Sequence, residues 1–242
     1  MTFVDVETTG TNPKSDRIIE IGILRVEGGK VVGELNSLVN PDGAYIPPFI
    51  SEMTGISAGQ LSTAPSIYDL KPQVMDLLTD SVFVAHNVNF DYGFVKHELK
   101  RLETNFNAKT LCTVRLARSL FPELGRFNLD NLIARFGLKM ENRHRAFDDA
   151  YALWDFYQIA SSLHKPKVFF DAVKSQLTFT VPKGLAKADI DNLPETPGVY
   201  IFYKDDVVLY VGKSVNIKKR VMNHFTSAKF SNKEDRMFNE IN

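Results

Sequence analysis

The chain has 242 residues, 44% of them apolar and 24% charged, with 29 acidic and 29 basic side chains. This is the profile of a globular protein, one large domain or a medium one with a small companion, and the zero net charge argues against a whole-chain basic sink for polyanions. No run of 18 apolar residues predicts a spanning helix, and the single cysteine, Cys112, excludes an intrachain disulfide or a Cys-rich zinc site.

The start, Met1-Thr2-Phe3, lacks a basic region, so no signal peptide and a reducing, cytoplasmic setting are expected. Phe3 to Glu7 reads as a strand. Side chains alternate with period two, so Phe3, Asp5 and Glu7 share one face and Val4 and Val6 the other. Thr8-Thr9-Gly10 closes it. Arg17 to Val26 and Lys30 to Val39 read as a hairpin about Gly28-Gly29. Ala44 to Pro65 is turn-rich, with a short helix at Phe49 to Met53 opened by Pro47-Pro48.

Ser66 to Leu78 has helical spacing at Ile67, Leu70, Val74, Leu77 and Leu78. Ser81 to Ala85 is a compact apolar run, expected as a buried strand. A helix from Tyr92 to Leu102, a short strand from Lys109 to Cys112 and a helix from Thr113 to Leu120 follow. Asn128 and Gly137 bracket a helix at Leu129 to Phe136. Ala146 to Leu163 is a longer helix, with an expected apolar stripe of Phe147, Ala150, Leu153, Trp154, Tyr157 and Ile159. Strands then helices with crossovers describe an α/β domain over residues 1–163. Residues 164–190 are expected as a linker, with Val168 to Thr180 docking back or bridging. From 191 a hairpin, Val199 to Tyr203 and Val207 to Val211, leads into a basic helix, Val215 to Phe225. With the polar tail that follows, this is a thin core, and an incomplete second domain over 191–242 is expected.

Three places carry acids that this pattern does not explain. Asp5 and Glu7 lie side by side on the first strand. Asp91 follows an apolar strand at the mouth of a helix. His144 and Asp149 lie at the start of the last long helix, with Asp149 on its inward side and Asp148 nearer the solvated edge. Each has a plain alternative: strand-end surface acids, an N-terminal helix acid favoured by the dipole, a surface histidine, a satisfied helix acid. Together they converge on one edge of an α/β sheet. Buried neighbouring carboxylates repel and resist ionising unless cations compensate. Mg²⁺ or Mn²⁺ favours such oxygen ligands. Four carboxylates suffice for two divalent ions, the arrangement suited to phosphodiester hydrolysis, and a histidine titrates where a general base is needed.

Asp5-Val6-Glu7-Thr8-Thr9-Gly10, His86 to Asp91 (His-Asn-x-x-Phe-Asp) and His144 to Asp149 (His-x-Ala-x-x-Asp) resemble the three motifs of the DEDD-type 3′–5′ exonuclease superfamily in its histidine branch. Within that family the likeness is to the proofreading subunits of bacterial replicative DNA polymerase. It implies a ribonuclease H-like fold with a mixed five-stranded sheet flanked by helices. It further implies that Asp5 bridges two metal ions, Glu7 and Asp149 hold the water-activating ion, Asp91 serves the second, and His144 is the general base. Thr8, Thr9 and Gly10 would line the terminal nucleotide, with Met53 and Phe90 as apolar neighbours of its base. His86 and Asn87 would brace their loop, and His97 is expected on a helix surface.

Gly198-Val199-Tyr200 and Tyr210-Val211-Gly212-Lys213, with Asn216, Arg220 and His224, resemble the start of a GIY-YIG nuclease domain like that of the bacterial excision-repair endonuclease. The plain alternative is a hairpin and a basic surface helix. The resemblance implies a small incomplete α+β segment with Tyr200, Tyr210, Gly212, Lys213 and Arg220 around a cleavage site. Glu234 and Glu240 come too early for the family's metal-binding glutamate, so this second activity is expected to be missing. Gln176-Leu177-Thr178-Phe179 is similar to a sliding-clamp peptide but a residue short, and is read as a buried linker segment.

The expected function is a metal-dependent 3′–5′ exonuclease acting on single-stranded DNA or frayed 3′ ends, nucleoid-associated, in proofreading or repair, with a DNA polymerase subunit or sliding clamp as partner. An exoribonuclease that trims RNA ends and a non-catalytic nucleic-acid or polymerase-binding module are the alternatives.

Overall fold

The computed structural model describes residues 1–140, 142–178, 181–182, 184–225 and 241. The chain divides into two compact units, Met1–Phe169 and Phe170–Asn242. Among the described residues no helix is long and apolar enough to cross a membrane.

The first unit is built on strands β1 (Thr2–Thr8), β2 (Ile18–Glu27) and β3 (Lys30–Leu38), paired antiparallel. Gly28 and Gly29, at φ +56° and +77°, supply the left-handed backbone that a tight hairpin turn requires. Strands β4 (Phe83–Ala85) and β5 (Thr110–Cys112) then add parallel to β1 on its other side. The order is β3-β2-β1-β4-β5, the expected mixed five-stranded sheet, with β1 in the middle.

A central strand has both faces covered, and β1 shows it. Val4 and Val6 enter a core with Val74, Leu77 and Leu78 of α3 (Ile67–Leu78) and Phe94, Val95 and Leu99 of α4 (Asn89–Arg101). Phe3 faces the other way, its ring 5.3 Å from Trp154 and 5.8 Å from Tyr157 on α7 (Ala146–Leu163). The buried stripe of α7 runs through Ala146, Asp149, Ala150, Leu153, Phe156 and Ala160. Phe147, Tyr157 and Ile159, expected on it, are half-buried; Phe156 takes the central place by the i, i+3, i+7 spacing from Asp149 and Leu153.

The turn-rich stretch contains α1 (Pro48–Thr54) and a further short helix, α2 (Ala58–Ser62). The latter is set by a capping box in which Ser57 and Gln60 satisfy each other's backbone N–H groups. Helices α5 (Thr113–Leu120) and α6 (Leu129–Phe136) lie where the spacing put them, α6 closing at Gly137 in the left-handed region. Residues 164–190, expected as a linker, hold helix α8 (Pro166–Leu177) and most of α9 (Lys187–Asp191). Gln176 is buried; Phe179, the last residue of the clamp-like tetrapeptide, lies outside the described residues.

The second unit carries the antiparallel hairpin β6 (Gly198–Lys204) and β7 (Val207–Ser214) and helix α10 (Ile217–Phe225). Its small core gathers Ile190, Tyr200, Phe202, Ile217, Val221 and Phe225.

Candidate active site

Asp5 and Glu7 leave β1 on the face that meets α7, Glu7 buried and Asp5 half-buried. In the register with β2, Asp5 lies opposite Gly22 and Glu7 opposite Glu20. Gly22 is a close-approach glycine: a Cβ there would stand 2.3 Å from the Ala146 carbonyl, so any larger residue would push the start of α7 off the sheet. The same contact brings Asp149, one turn into α7, over β1.

Helix α4 begins at Asn89 rather than near Tyr92, which places Asp91 in its first turn. Asp91 is buried, and its Oδ1 accepts the Val6 N–H at 3.2 Å. His144 sits at φ +62°, left-handed backbone that a non-glycine residue adopts only where its surroundings impose it. Those surroundings are set by Glu20, which has 1% of its side chain exposed. Its Oε1 accepts from Arg145 at 2.8 and 2.6 Å, and its Oε2 accepts the Ala146 N–H at 2.9 Å, occupying the free N-terminus of α7.

Asp5, Glu7, Asp91, His144 and Asp149 all line one cleft of about 300 Å³. Ligand atoms of Glu7, His144 and Asp149 lie within 4.8 Å of one another, a set of two carboxylates and an imidazole that suits a divalent ion. Asp149 Oδ1 is buried with no hydrogen-bond partner among the described residues, while its Oδ2 pairs with Arg143. An orphaned carboxylate oxygen facing other acids is a position that a cation would satisfy.

The electrostatics agree. Burial, followed by the charges of Asp91, Asp149 and Glu7, raises Asp5 well above the usual carboxylate range. Burial and Asp149 lift Glu7 to about 8. Burial lifts Asp91 to about 8 against the pull of the N–H groups it accepts, and lifts Asp149 to about 7 against Arg143. Burial and then Arg143 lower His144, which keeps its ring neutral and able to accept a proton near pH 7.

The remaining expected residues divide. Phe90 lines the cleft and packs on Phe94 at 4.9 Å. Asn87 also lines it, at φ +64°. His86 Nδ1 and Thr113 Oγ1 share a hydrogen bond of 2.9 Å, and burial lowers the imidazole to about 4, so it braces this edge as a neutral ring. Thr8 and Thr9 turn their hydroxyls to the β1–β2 connection: Thr8 donates to the Gly10 carbonyl at 2.6 Å, and Thr9 accepts the Arg17 N–H at 3.0 Å. A Cβ at Gly10 would meet the Asp16 carboxylate at 2.4 Å. Met53 is exposed on α1 and lies outside the cleft lining. His97, bonded to the Gly93 carbonyl at 2.8 Å, belongs to its own helix. Glu20, Arg143 and Arg145 were not singled out from sequence. The signal available was an acid inside the apolar run Ile18 to Val26, which a buried strand carries only with a partner.

In the second unit Tyr200 and Tyr210 stack at 6.0 Å, and both phenols act on Arg220, raising it above the usual guanidinium range. Tyr200 Oη and His224 Nε2 are 2.6 Å apart. A Cβ at Gly212 would stand 2.3 Å from the Tyr200 ring, which explains the glycine opposite that tyrosine in the hairpin. Lys213 lies beside it on β7, exposed. Glu234 and Glu240 lie outside the described residues.

Residues 2–157 match the family model described as RNase_T, Exonuclease, and residues 196–242 match the UvrC-like GIY-YIG domain. A provisionally named bifunctional exonuclease/endonuclease protein of Mycobacterium tuberculosis is 35% identical over 235 residues, 92% of this chain and 36% of that protein. DNA polymerase III subunit epsilon of Aquifex aeolicus is 33% identical over 148 residues, 61% of this chain and 73% of its own length. Among solved structures, exonuclease X in complex with 5′ overhanging duplex DNA superposes with a TM-score of 0.53 at 26% identity, covering 71% of this chain and 98% of that one. The chain belongs to the exonuclease family: its first unit is a DEDDh-type 3′–5′ exonuclease domain, joined to a GIY-YIG-like domain. It spans well under two thirds of the mycobacterial relative, at 36%.

Proposed function

We propose that this chain removes nucleotides one at a time from DNA 3′ ends by metal-dependent hydrolysis, in replication proofreading or repair. The observation that carries this is the meeting of Asp5, Glu7, Asp91, His144 and Asp149 in one cleft. Asp5, Glu7 and Asp149 would hold one divalent ion, Mg²⁺ or Mn²⁺, and Asp91 with Asp5 would serve a second. When bound, such ions supply an activated water and a charge that stabilises the leaving oxygen. His144 accepts the proton of the attacking water on a ring nitrogen. The new P–O bond replaces the bond to the 3′ oxygen, which takes a proton from solvent; the products are a nucleoside 5′-monophosphate and a shortened strand. Phe90 presents an apolar surface for the terminal base, Thr8, Thr9 and Gly10 would line the terminal nucleotide, and Met53 on α1 would be a second apolar neighbour of the base.

The epsilon relative's name supports a place beside a replicative polymerase, and the name of the mycobacterial relative with its GIY-YIG-like companion supports repair. Within the second unit Tyr200, Tyr210, Gly212, Lys213 and Arg220 would form part of a nuclease site. Digestion of end-labelled single-stranded DNA, duplex with a mismatched 3′ end, and RNA, with and without Mn²⁺, tests the reading. Mononucleotide release from the 3′ end of DNA, dependent on metal, is expected. Shortening from the 5′ end, activity in EDTA, or activity confined to RNA would overturn it.

A further inference from the structure

Arg143 precedes His144 and has no part in the chemistry above, yet it reaches the middle of the cleft. Its guanidinium pairs with Asp149 Oδ2 and, through Nε, with Asp130 Oδ1 on α6 at 2.6 Å. The two acids differ sharply: Asp149 has 3% of its side chain exposed and Asp130 62%. Arg143 thus bridges a buried carboxylate in the cleft and a solvated one at its rim. Its charge also acts on Asp5 and Glu7, opposing the rise of both.

Four clustered carboxylates need positive charge. Arg143 supplies one unit of it to the oxygen pair that a divalent ion would use. Both cations seek Asp149, and they repel each other. We infer that Arg143 is a built-in counter-cation of the metal-free cleft, which the incoming ion displaces from Asp149 and which Asp130 retains at the rim. The planar fork of arginine suits such a bridge, since it binds one carboxylate through one edge while keeping the other. The device neutralises the site when metal is absent and sets a threshold for loading it. The inference rests on the metal-dependent reading above.

Calorimetric titration with Mn²⁺, on the full chain without DNA, tests it independently of catalysis. Arg143→Gln is expected to bind Mn²⁺ more tightly, by a factor on the order of ten, because the ion no longer competes. Asp130→Asn is expected to weaken Mn²⁺ binding while Arg143 is present, since the displaced guanidinium loses its rim partner. In the Arg143→Gln background the same Asp130→Asn change should have little effect, a non-additivity that a mere change of net charge would not produce. Circular dichroism melts in EDTA confirm that each variant is folded; Arg143→Lys stands in for an unfolded Arg143→Gln, with an intermediate affinity expected, and Asp130→Glu for an unfolded Asp130→Asn, with a smaller weakening expected. Unchanged or weaker binding by Arg143→Gln, or equal effects of Asp130→Asn in both backgrounds, would overturn the inference alone. No Mn²⁺ binding by any folded variant would overturn the proposed function and this inference with it.

Discussion

Glu20 and Arg145 tie the second strand of the sheet to the residue after His144, through hydrogen bonds of 2.8 and 2.6 Å. The carboxylate is buried beneath the cleft and the guanidinium is 42% exposed. The turn bearing His144 is therefore anchored from below by a side chain that need not touch substrate. Glu20→Ala should lower stability by about 1–3 kcal/mol, the range for leaving a buried donor unsatisfied. It should also lower turnover, because His144 and the first turn of α7 lose their register against β1. Urea unfolding and single-strand digestion check this; an unchanged midpoint with unchanged turnover would count against the anchor.

His144→Ala should reduce turnover by a general-base-sized factor, on the order of 10²–10⁴. Mn²⁺ affinity measured in parallel separates two roles for the ring. Retained affinity fits a proton acceptor, whereas a matching loss of affinity would make His144 a ligand with Glu7 and Asp149.

Asp5→Asn and Asp149→Asn should each abolish shortening of single-stranded DNA with the far-UV spectrum preserved, since each removes an oxygen ligand and leaves the side-chain volume intact. Normal activity in either variant would refute its place in the metal set.

The metal-free protein should lose stability as pH rises from about 5 to about 8. Glu7 and Asp91 sit at about 8 and Asp149 at about 7 in the fold, against about 4 in an unfolded chain. Across that window the folded state holds protons that the unfolded state has released, so the difference in bound protons disfavours folding as pH climbs. Melting in EDTA should show a falling Tm, and Mg²⁺ should raise Tm more at pH 8 than at pH 5. A Tm that climbs steadily with pH in EDTA would contradict the buried-acid account.

In the second unit, Gly212→Ala should cost about 1–3 kcal/mol of local stability, the usual range for overpacking, because the added methyl meets the Tyr200 ring. Hydrogen exchange across β6 and β7 would report it, and unchanged protection there would show that the ring can move aside.

Much of this was legible because the informative signals are local. The Asp5 to Gly10 run, the His86 to Asp91 run and the His144 to Asp149 run each place a polar residue where its own element's period predicts the opposite. Gly28-Gly29 and Gly137 declare their turns without help from elsewhere in the chain. The short helix α2 was missed although Ser57 and Gln60 spell its cap, because five residues leave no apolar period to read. On α7 the apolar side chains Phe147, Tyr157 and Ile159 fall beside the buried stripe, because a helix flanked by other helices is apolar over a wide arc. Glu20 and Arg145 were unreadable for a different reason. Glu20 finds its partners 125 and 126 residues away, and nothing in a hydrophobic strand says which distant cation or helix end it will meet.

The middle position of β1 has a consequence for how the protein is assembled. Thr2 and Phe3 pair with Phe83 and Val84, so the strand bearing Asp5 and Glu7 stays open along one side until β4 has docked. The nuclease pocket is complete only when β1, α4 and α7 are all in place, and is not a feature of any isolated hairpin. The amide proton of Val4, inside the sheet, should exchange with solvent only through global opening, whereas that of Val6 reports the hold of Asp91 on the strand.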